Sequence, residues 1–130
     1  MAVLDASAAI FALVRSESSS ARAKLGGYQE LYCPHLIDIE YVNALRNLVL
    51  REDITLDDAE IATLDFIDLS ITRYPHTRLI DRIWQLRQII TPYDAAYVAL
   101  AELLETPLIT SDRRLARAAT GLVEIDLFED

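Results

Sequence analysis

The sequence predicts an α/β domain in which a mainly parallel sheet is covered on both faces by helices. Short apolar runs alternate with longer segments of helical periodicity along the whole chain. Several of the runs are apolar throughout, as strands buried on both faces are. Two of them, Met1–Leu4 and Pro107–Thr110, stop at or just before an acid, Asp5 and Asp112. In such sheets ligands bind outside the carboxyl ends of the strands, so these acids stand where a polar site is expected.

Taken in order, Met1 to Asp5 reads as a short strand. Ala6 to about Val14 is helical by composition, with Asp5 or Ser7 as N-cap. A polar turn over Ser16 to Ser20 leads to a second short helix stopped by Gly26-Gly27. Glu30 to Pro34 reads as the second strand, and Leu36 to Arg51 as a longer helix. Thr55 caps the next helix, which carries Asp57 and Asp58 in its first turn and runs to about Leu69. Ser70 to Tyr74 alternates and forms a short third strand before Pro75. His76 to Ile90 places Leu79, Ile80, Ile83, Trp84, Leu86 and Ile90 at helical spacing. A further helix, Thr91 to Glu102, has an Ala-rich and aromatic apolar side that demands close packing. Leu108-Ile109 forms a strand, Arg113 to Ala119 a short helix, and Leu122 to Asp126 the last strand.

The 130 residues form a single domain, 1–130, long enough to bury a core, without internal repeat or linker. A lone cysteine, Cys33, excludes an internal disulfide framework and a cysteine-rich zinc site; within Leu31-Tyr32-Cys33-Pro34 it reads as a core residue. No basic, apolar signal pattern opens the chain, and no segment approaches the roughly 20 apolar residues of a membrane span. A soluble, cytoplasmic domain is expected. The formal net charge is −9, from 21 acids against 12 bases. That balance opposes broad electrostatic affinity for nucleic acid. Every base except Lys24 is Arg, the residue better suited to bidentate phosphate or carboxylate contacts.

Each candidate acid has a structural alternative. Asp5 and Asp112 sit where helix caps sit, and Thr91-Pro92-Tyr93-Asp94 resembles a capping box with Pro at the first helical position. Glu40 differs. It lies beside the stripe of Ile37, Tyr41, Ala44 and Leu48, and a buried carboxylate must be paired, protonated or bound to a cation. Arg46 and Arg51 are its nearby ion-pair candidates, and Asn43 and Asn47 continue a polar line from it. Clustered acids repel by ~4 kcal/mol at about 4 Å and an effective dielectric of 20, so they need cations. Hard oxygen donors suit Mg²⁺ or Mn²⁺. His35 and His76 read as capping or surface residues.

Four motifs in order carry a resemblance: Val3-Leu4-Asp5-Ala6-Ser7, Glu40-x-x-Asn43-Ala44-Leu45, Tyr93-Asp94-Ala95-x-Tyr97-Val98-Ala99-Leu100-Ala101, and Leu108-Ile109-Thr110-Ser111-Asp112-x-x-Leu115. With them the chain resembles, over nearly its whole length, the PIN-domain nucleases and in particular the VapC-type toxins of bacterial toxin–antitoxin pairs. The resemblance implies a three-layer α/β/α domain and Mg²⁺- or Mn²⁺-dependent endoribonuclease activity. It makes Asp5, Glu40, Asp94 and Asp112 the catalytic, metal-holding acids and Ser7 and Thr110 their polar companions, with Asn43 beside them. It further implies a homodimer and a VapB-type antitoxin whose C-terminal segment crosses the acidic site, often presenting an Arg. Arg113, Arg114 and Arg117, directly after Asp112, are candidates for RNA phosphates or for ion pairs with the acidic surface. The alternative function is a non-catalytic module whose acids receive a partner's Arg side chains. An aspartyl-phosphate phosphatase is disfavoured because Asp5-Ala6-Ser7 lacks a second Asp two residues on, and a receiver domain because paired N-terminal acids and a late lysine are missing.

Overall fold

The computed structural model describes residues 1–15 and 19–129, so the 16–18 part of the predicted polar turn lies outside the described residues. Five strands form one parallel sheet in the order β3-β2-β1-β4-β5: β1 Ala2–Leu4, β2 Leu31–Pro34, β3 Thr72–Tyr74, β4 Leu108–Thr110 and β5 Ile125–Leu127. Among the described residues seven α-helices surround it: α1 Ala6–Ile10, α2 Ser19–Gly26, α3 Ile37–Leu50, α4 Leu56–Asp68, α5 Ile80–Gln85, α6 Pro92–Leu104 and α7 Arg113–Ala119. The arrangement is the expected α/β/α sandwich.

The strand order explains where a site can form. The chain steps outward from β1 to β2 to β3, then returns to lay β4 on the other side of β1. At that reversal the connections leaving β1 and β4 part from each other, opening a crevice at the strand ends. Register holds it together: Leu4 pairs with Ile109, and the Asp5 N–H donates to the Ile109 carbonyl at 3.0 Å. The central strands are apolar because both faces are covered; Ala2, Val3, Leu4, Leu108 and Ile109 are all fully buried.

Helix α6 lies against β1, β2 and β4 and is buried at every residue from Ala95 to Ala101. Its small side chains let the helix backbone approach the sheet. At its outer end Arg82 of α5 grips Glu102 through two hydrogen bonds of 2.7 and 2.8 Å. On α3, Tyr41 stacks on Phe66 of α4 with ring centroids 4.0 Å apart, and its hydroxyl donates to the Ala62 carbonyl at 2.9 Å. Arg73 of β3 holds Asp38 in the first turn of α3. These contacts fix the helix that carries Glu40. Thr55 caps α4 as expected, in a capping box closed by Asp58.

Three elements differ from expectation. The helix predicted over His76 to Ile90 is a 3₁₀ turn, Thr77–Leu79, followed by the six residues of α5 and then turns. Of its apolar side chains only Leu79 and Leu86 are buried, while Ile80, Trp84 and Ile89 are exposed, so burial does not support a continuous helix. The last strand begins at Ile125 rather than Leu122. Gly121, at φ 88°, turns the chain back so that Leu122 and Val123 donate to the Ala119 carbonyl and finish α7 instead. The first helix continues beyond α1 as a π turn, Phe11–Arg15.

Candidate active site

Asp5 leaves β1 at the crevice, is 4% exposed and is closely coordinated by hydroxyls. Its Oδ1 accepts from Ser7 Oγ at 2.7 Å and from the Ala8 N–H at 2.9 Å; its Oδ2 accepts from Thr110 Oγ1 at 2.5 Å. The Ser111 N–H donates to Ser7 Oγ and the Asp112 N–H to Thr110 Oγ1, each at 3.0 Å. Backbone donors thus occupy lone pairs on both hydroxyls and leave the hydroxyl protons for Asp5. Burial nevertheless pushes the Asp5 carboxyl up from 3.8 to about 6, with the Asp94 charge adding to the rise and the three hydrogen bonds opposing it.

Glu40, on α3, faces the same cleft. Burial raises its pKa, Tyr97 opposes the rise, and Asp94 adds to it. Its partner is neither Arg46 nor Arg51. Arg51 pairs with Asp53 at 3.5 Å, whereas the Tyr97 hydroxyl donates to Glu40 Oε1 at 2.6 Å. Tyr97 stands three residues after Asp94 on α6 and is 1% exposed. In the sequence it stood within the third motif without a role of its own; the usable signal was a hydroxyl on a helix side otherwise built of Ala, Val and Leu.

Asp94 begins α6. Thr91, not Asp94, caps this helix by accepting from the Asp94 N–H at 3.3 Å, so the reciprocal half of the capping box is missing among the described hydrogen bonds. Burial pushes the Asp94 carboxyl up, Asp112 pushes it further, and the Arg114 guanidinium and the Thr91 hydroxyl pull it down. Asp112 does cap α7: its Oδ1 accepts from the N–H groups of Arg114 and Leu115 at 2.9 and 3.2 Å. Asp5 and Asp112 therefore cap helices and line the cleft at once. The Asp94 charge is the smallest contributor to the rise at Asp5 and at Glu40, and Asp94 in turn feels Asp112.

All four acids line one open cleft of about 910 Å³ together with Ser7, Asn43, Asn47, Tyr97, Arg113 and Arg114. Ile10, Phe11, Leu48 and Phe128 supply its apolar lining, Phe11 being placed there by the π turn. Thr110 lies behind, fully buried against Asp5. Arg113 is paired with Glu129 at 3.1 Å, while Arg114 has no ion pair among the described residues. Arg117 falls outside the cleft and lines a shallower depression beside β5. His76 caps rather than ligates: its Nε2 accepts from the Leu36 N–H at 2.9 Å ahead of α3. Cys33 is a fully buried core thiol.

Among the described residues no three acids close into a ready-made ion cage. The chemistry of the donor set still fits a hard divalent cation. All the donors are oxygens, three of the carboxyls are held above their usual range, and Glu40, Asp94 and Asp112 each have an oxygen not engaged by any described residue. A cation that keeps several waters needs few direct protein ligands.

Residues 2–121 match the PIN domain family. The chain belongs to the PIN-domain family. Within it this PIN domain is of the VapC type. It is 47% identical over 124 residues to Ribonuclease VapC1 of Mycobacterium tuberculosis, which covers 92% of this chain and 91% of that relative. It is 41% identical over 116 residues to VapC ribonuclease Mb0985 of Mycobacterium bovis, covering 89% of each. Ribonuclease VapC12 of Mycobacterium tuberculosis is 37% identical over 127 residues, 98% of each chain. In three dimensions this PIN domain is similar to VapBC2 from Rickettsia felis bound to a promoter DNA fragment, with a TM-score of 0.71 over 98% of each chain at 12% identity. FitAcB from Neisseria gonorrhoeae superposes with a TM-score of 0.67 over 96% of each chain at 15% identity. These two likenesses establish the fold. No helix among the described residues is long and apolar enough to cross a membrane.

Proposed function

We propose that this PIN domain is the endoribonuclease toxin of a type II toxin–antitoxin pair, acting in the cytoplasm with Mg²⁺ or Mn²⁺. The observation that carries this reading is the convergence of Asp5, Glu40, Asp94 and Asp112 on one cleft, with Asp94 electrostatically coupled to the other three. The VapC relatives named as ribonucleases, which align over most of their length, support the activity.

In this reading Asp5, Glu40, Asp94 and Asp112 hold the cation. Once bound, the cation supplies Lewis-acid polarisation of the phosphate and an activated water at neutral pH. The chain's own contributions are orientation and charge. Ser7 and Thr110 hold Asp5 by both oxygens, so its direction is set before substrate arrives. Arg114, beside Asp94 and free of other partners among the described residues, is placed to receive a phosphate oxygen; Arg113 does so only by giving up Glu129. Asn43 and Asn47 line the cleft with amides that make no hydrogen bond to described residues, and Phe11 adds an aromatic ring of the kind on which unstacked bases stack. Among the described residues lining the cleft the groups suited to proton transfer are carboxyls, so in this reading proton transfer rests on them and on water.

The partners follow from the same cleft. A VapB-type antitoxin segment carrying an Arg would neutralise the acids in place of the cation, and the complexes named for the structural neighbours, VapBC2 and FitAcB, support such a partner. The exposed apolar side chains Ile80, Trp84, Tyr93 and Leu103 on α5 and α6 support a homodimer contact. The decisive experiment is Asp94→Asn in the purified protein. The wild type should cleave RNA in Mg²⁺ or Mn²⁺ and stop in EDTA, and the variant should lose at least about 100-fold in rate. Undiminished cleavage by Asp94→Asn would refute the site. A wild type that cleaves nothing with either ion, yet binds an Arg-bearing peptide, would identify a binding module instead.

A further inference from the structure

We infer that Tyr97 is a positioning residue for Glu40, holding that carboxylate in the orientation the cation needs. This rests on the reading of the acidic cleft as a divalent-cation site. The geometry is specific. Tyr97 projects from α6, is 1% exposed, and reaches from its own helix to Glu40 on α3 with a hydrogen bond of 2.6 Å. The hydroxyl is a polar atom on a helix buried from Ala95 to Ala101, and Glu40 is the partner that satisfies it. A hydroxyl–carboxylate bond of this length is charge-assisted and directional.

Each end of the bond benefits. Glu40 has no ion pair among the described residues, and its long side chain would otherwise sample several rotamers across the cleft wall. The Tyr97 hydroxyl engages Oε1 alone, leaving Oε2 without a partner among the described residues. Because Asp94 and Tyr97 are one turn apart on α6, a single rigid helix carries one acid and fixes the direction of a second. Asp5 has its own device in Ser7 and Thr110, and Asp112 in the N-terminus of α7. For Glu40 the corresponding device is the Tyr97 hydroxyl, its one side-chain hydrogen bond among the described residues. Groups that orient a metal-binding side chain from behind commonly alter metal affinity by about 10- to 100-fold when removed.

The test is Mn²⁺ binding measured by isothermal titration calorimetry on the whole chain without RNA. Thermal unfolding of each variant in EDTA fixes the folded fraction at which affinities are compared. Tyr97→Phe keeps the ring and removes the donor, and should bind Mn²⁺ about 10- to 100-fold more weakly. Incorporating 4-aminophenylalanine at position 97 restores an N–H donor at the same place and should recover most of that loss. Tyr28→Phe removes a comparable hydroxyl–carboxylate bond, to Asp126, away from the cleft, and should leave Mn²⁺ affinity unchanged. Wild-type affinity in Tyr97→Phe, or a loss that 4-aminophenylalanine does not recover, overturns the positioning role. Asp94→Asn separates this from the wider reading: if it weakens Mn²⁺ binding while Tyr97→Phe does not, only the role of Tyr97 falls. If wild type and Asp94→Asn bind Mn²⁺ equally, or neither binds it, the cation site itself falls and the inference with it.

Discussion

Replacing Asp5 by Asn in the cation-free protein should change the pH dependence of stability in a direction fixed by burial. Asp5 is 4% exposed, and its carboxyl stands at about 6 against an ordinary 3.8. A raised acid pKa means the folded chain prefers the neutral carboxyl. Between these two values the folded state therefore binds more protons than the unfolded state, and stability falls as pH rises through the window. At 1.36 kcal/mol per pKa unit, the separation between 3.8 and about 6 makes the loss about 3 kcal/mol, complete above about pH 7. Asn cannot ionise, so this component vanishes in the variant. The absolute stability of Asp5→Asn is less informative. Asn satisfies only one of the two hydroxyl donors as an acceptor, which costs about 1–3 kcal/mol at any pH. The diagnostic quantity is the wild-type minus variant difference, measured by urea unfolding in EDTA at about pH 4 and about pH 7.5. Because about pH 4 already lies inside the window, it should move by about 2.4 kcal/mol against the wild type between the two pH values. Glu40 and Asp94 shift in the same direction but are present in both proteins, so they largely cancel. A difference constant to within about 0.5 kcal/mol would refute the claim that Asp5 is held above its ordinary range by burial.

Two further outcomes follow from the placement of side chains. Arg114→Ala should weaken RNA binding and reduce its salt dependence by about one released counterion, whereas Arg117→Ala, outside the cleft, should do neither; filter binding across a salt series checks both. Ala101→Leu overfills the buried face of α6 and should cost about 1–3 kcal/mol in urea unfolding, while Ile61→Ala on the exposed side of α4 should stay within about 0.5 kcal/mol.

Much of this molecule was determined along the chain. The β1 and β4 runs, the Thr55 cap, the α3 boundaries to within a residue and the acids at the strand ends are local features, governed by period, capping chemistry and apolar runs. The four acids could be listed in order, and Glu40 singled out, because a carboxylate beside a core-facing stripe demands a partner. The identity of that partner was decided only in three dimensions. Arg46 and Arg51 are near Glu40 in sequence, but Tyr97, far along the chain, supplies the bond, because α6 packs on the sheet close to α3. The same holds for the broken helix after His76, where helical spacing was present but only Leu79 and Leu86 found a core to enter. It holds for the arginines too: all three follow Asp112, and the turn of α7 directs Arg113 and Arg114 to the cleft and Arg117 away. The sequence alone settled which residues want burial, caps or partners. The tertiary structure decided which partners they meet, because that depends on the strand order that opens the crevice between β1 and β4, and no local pattern encodes it.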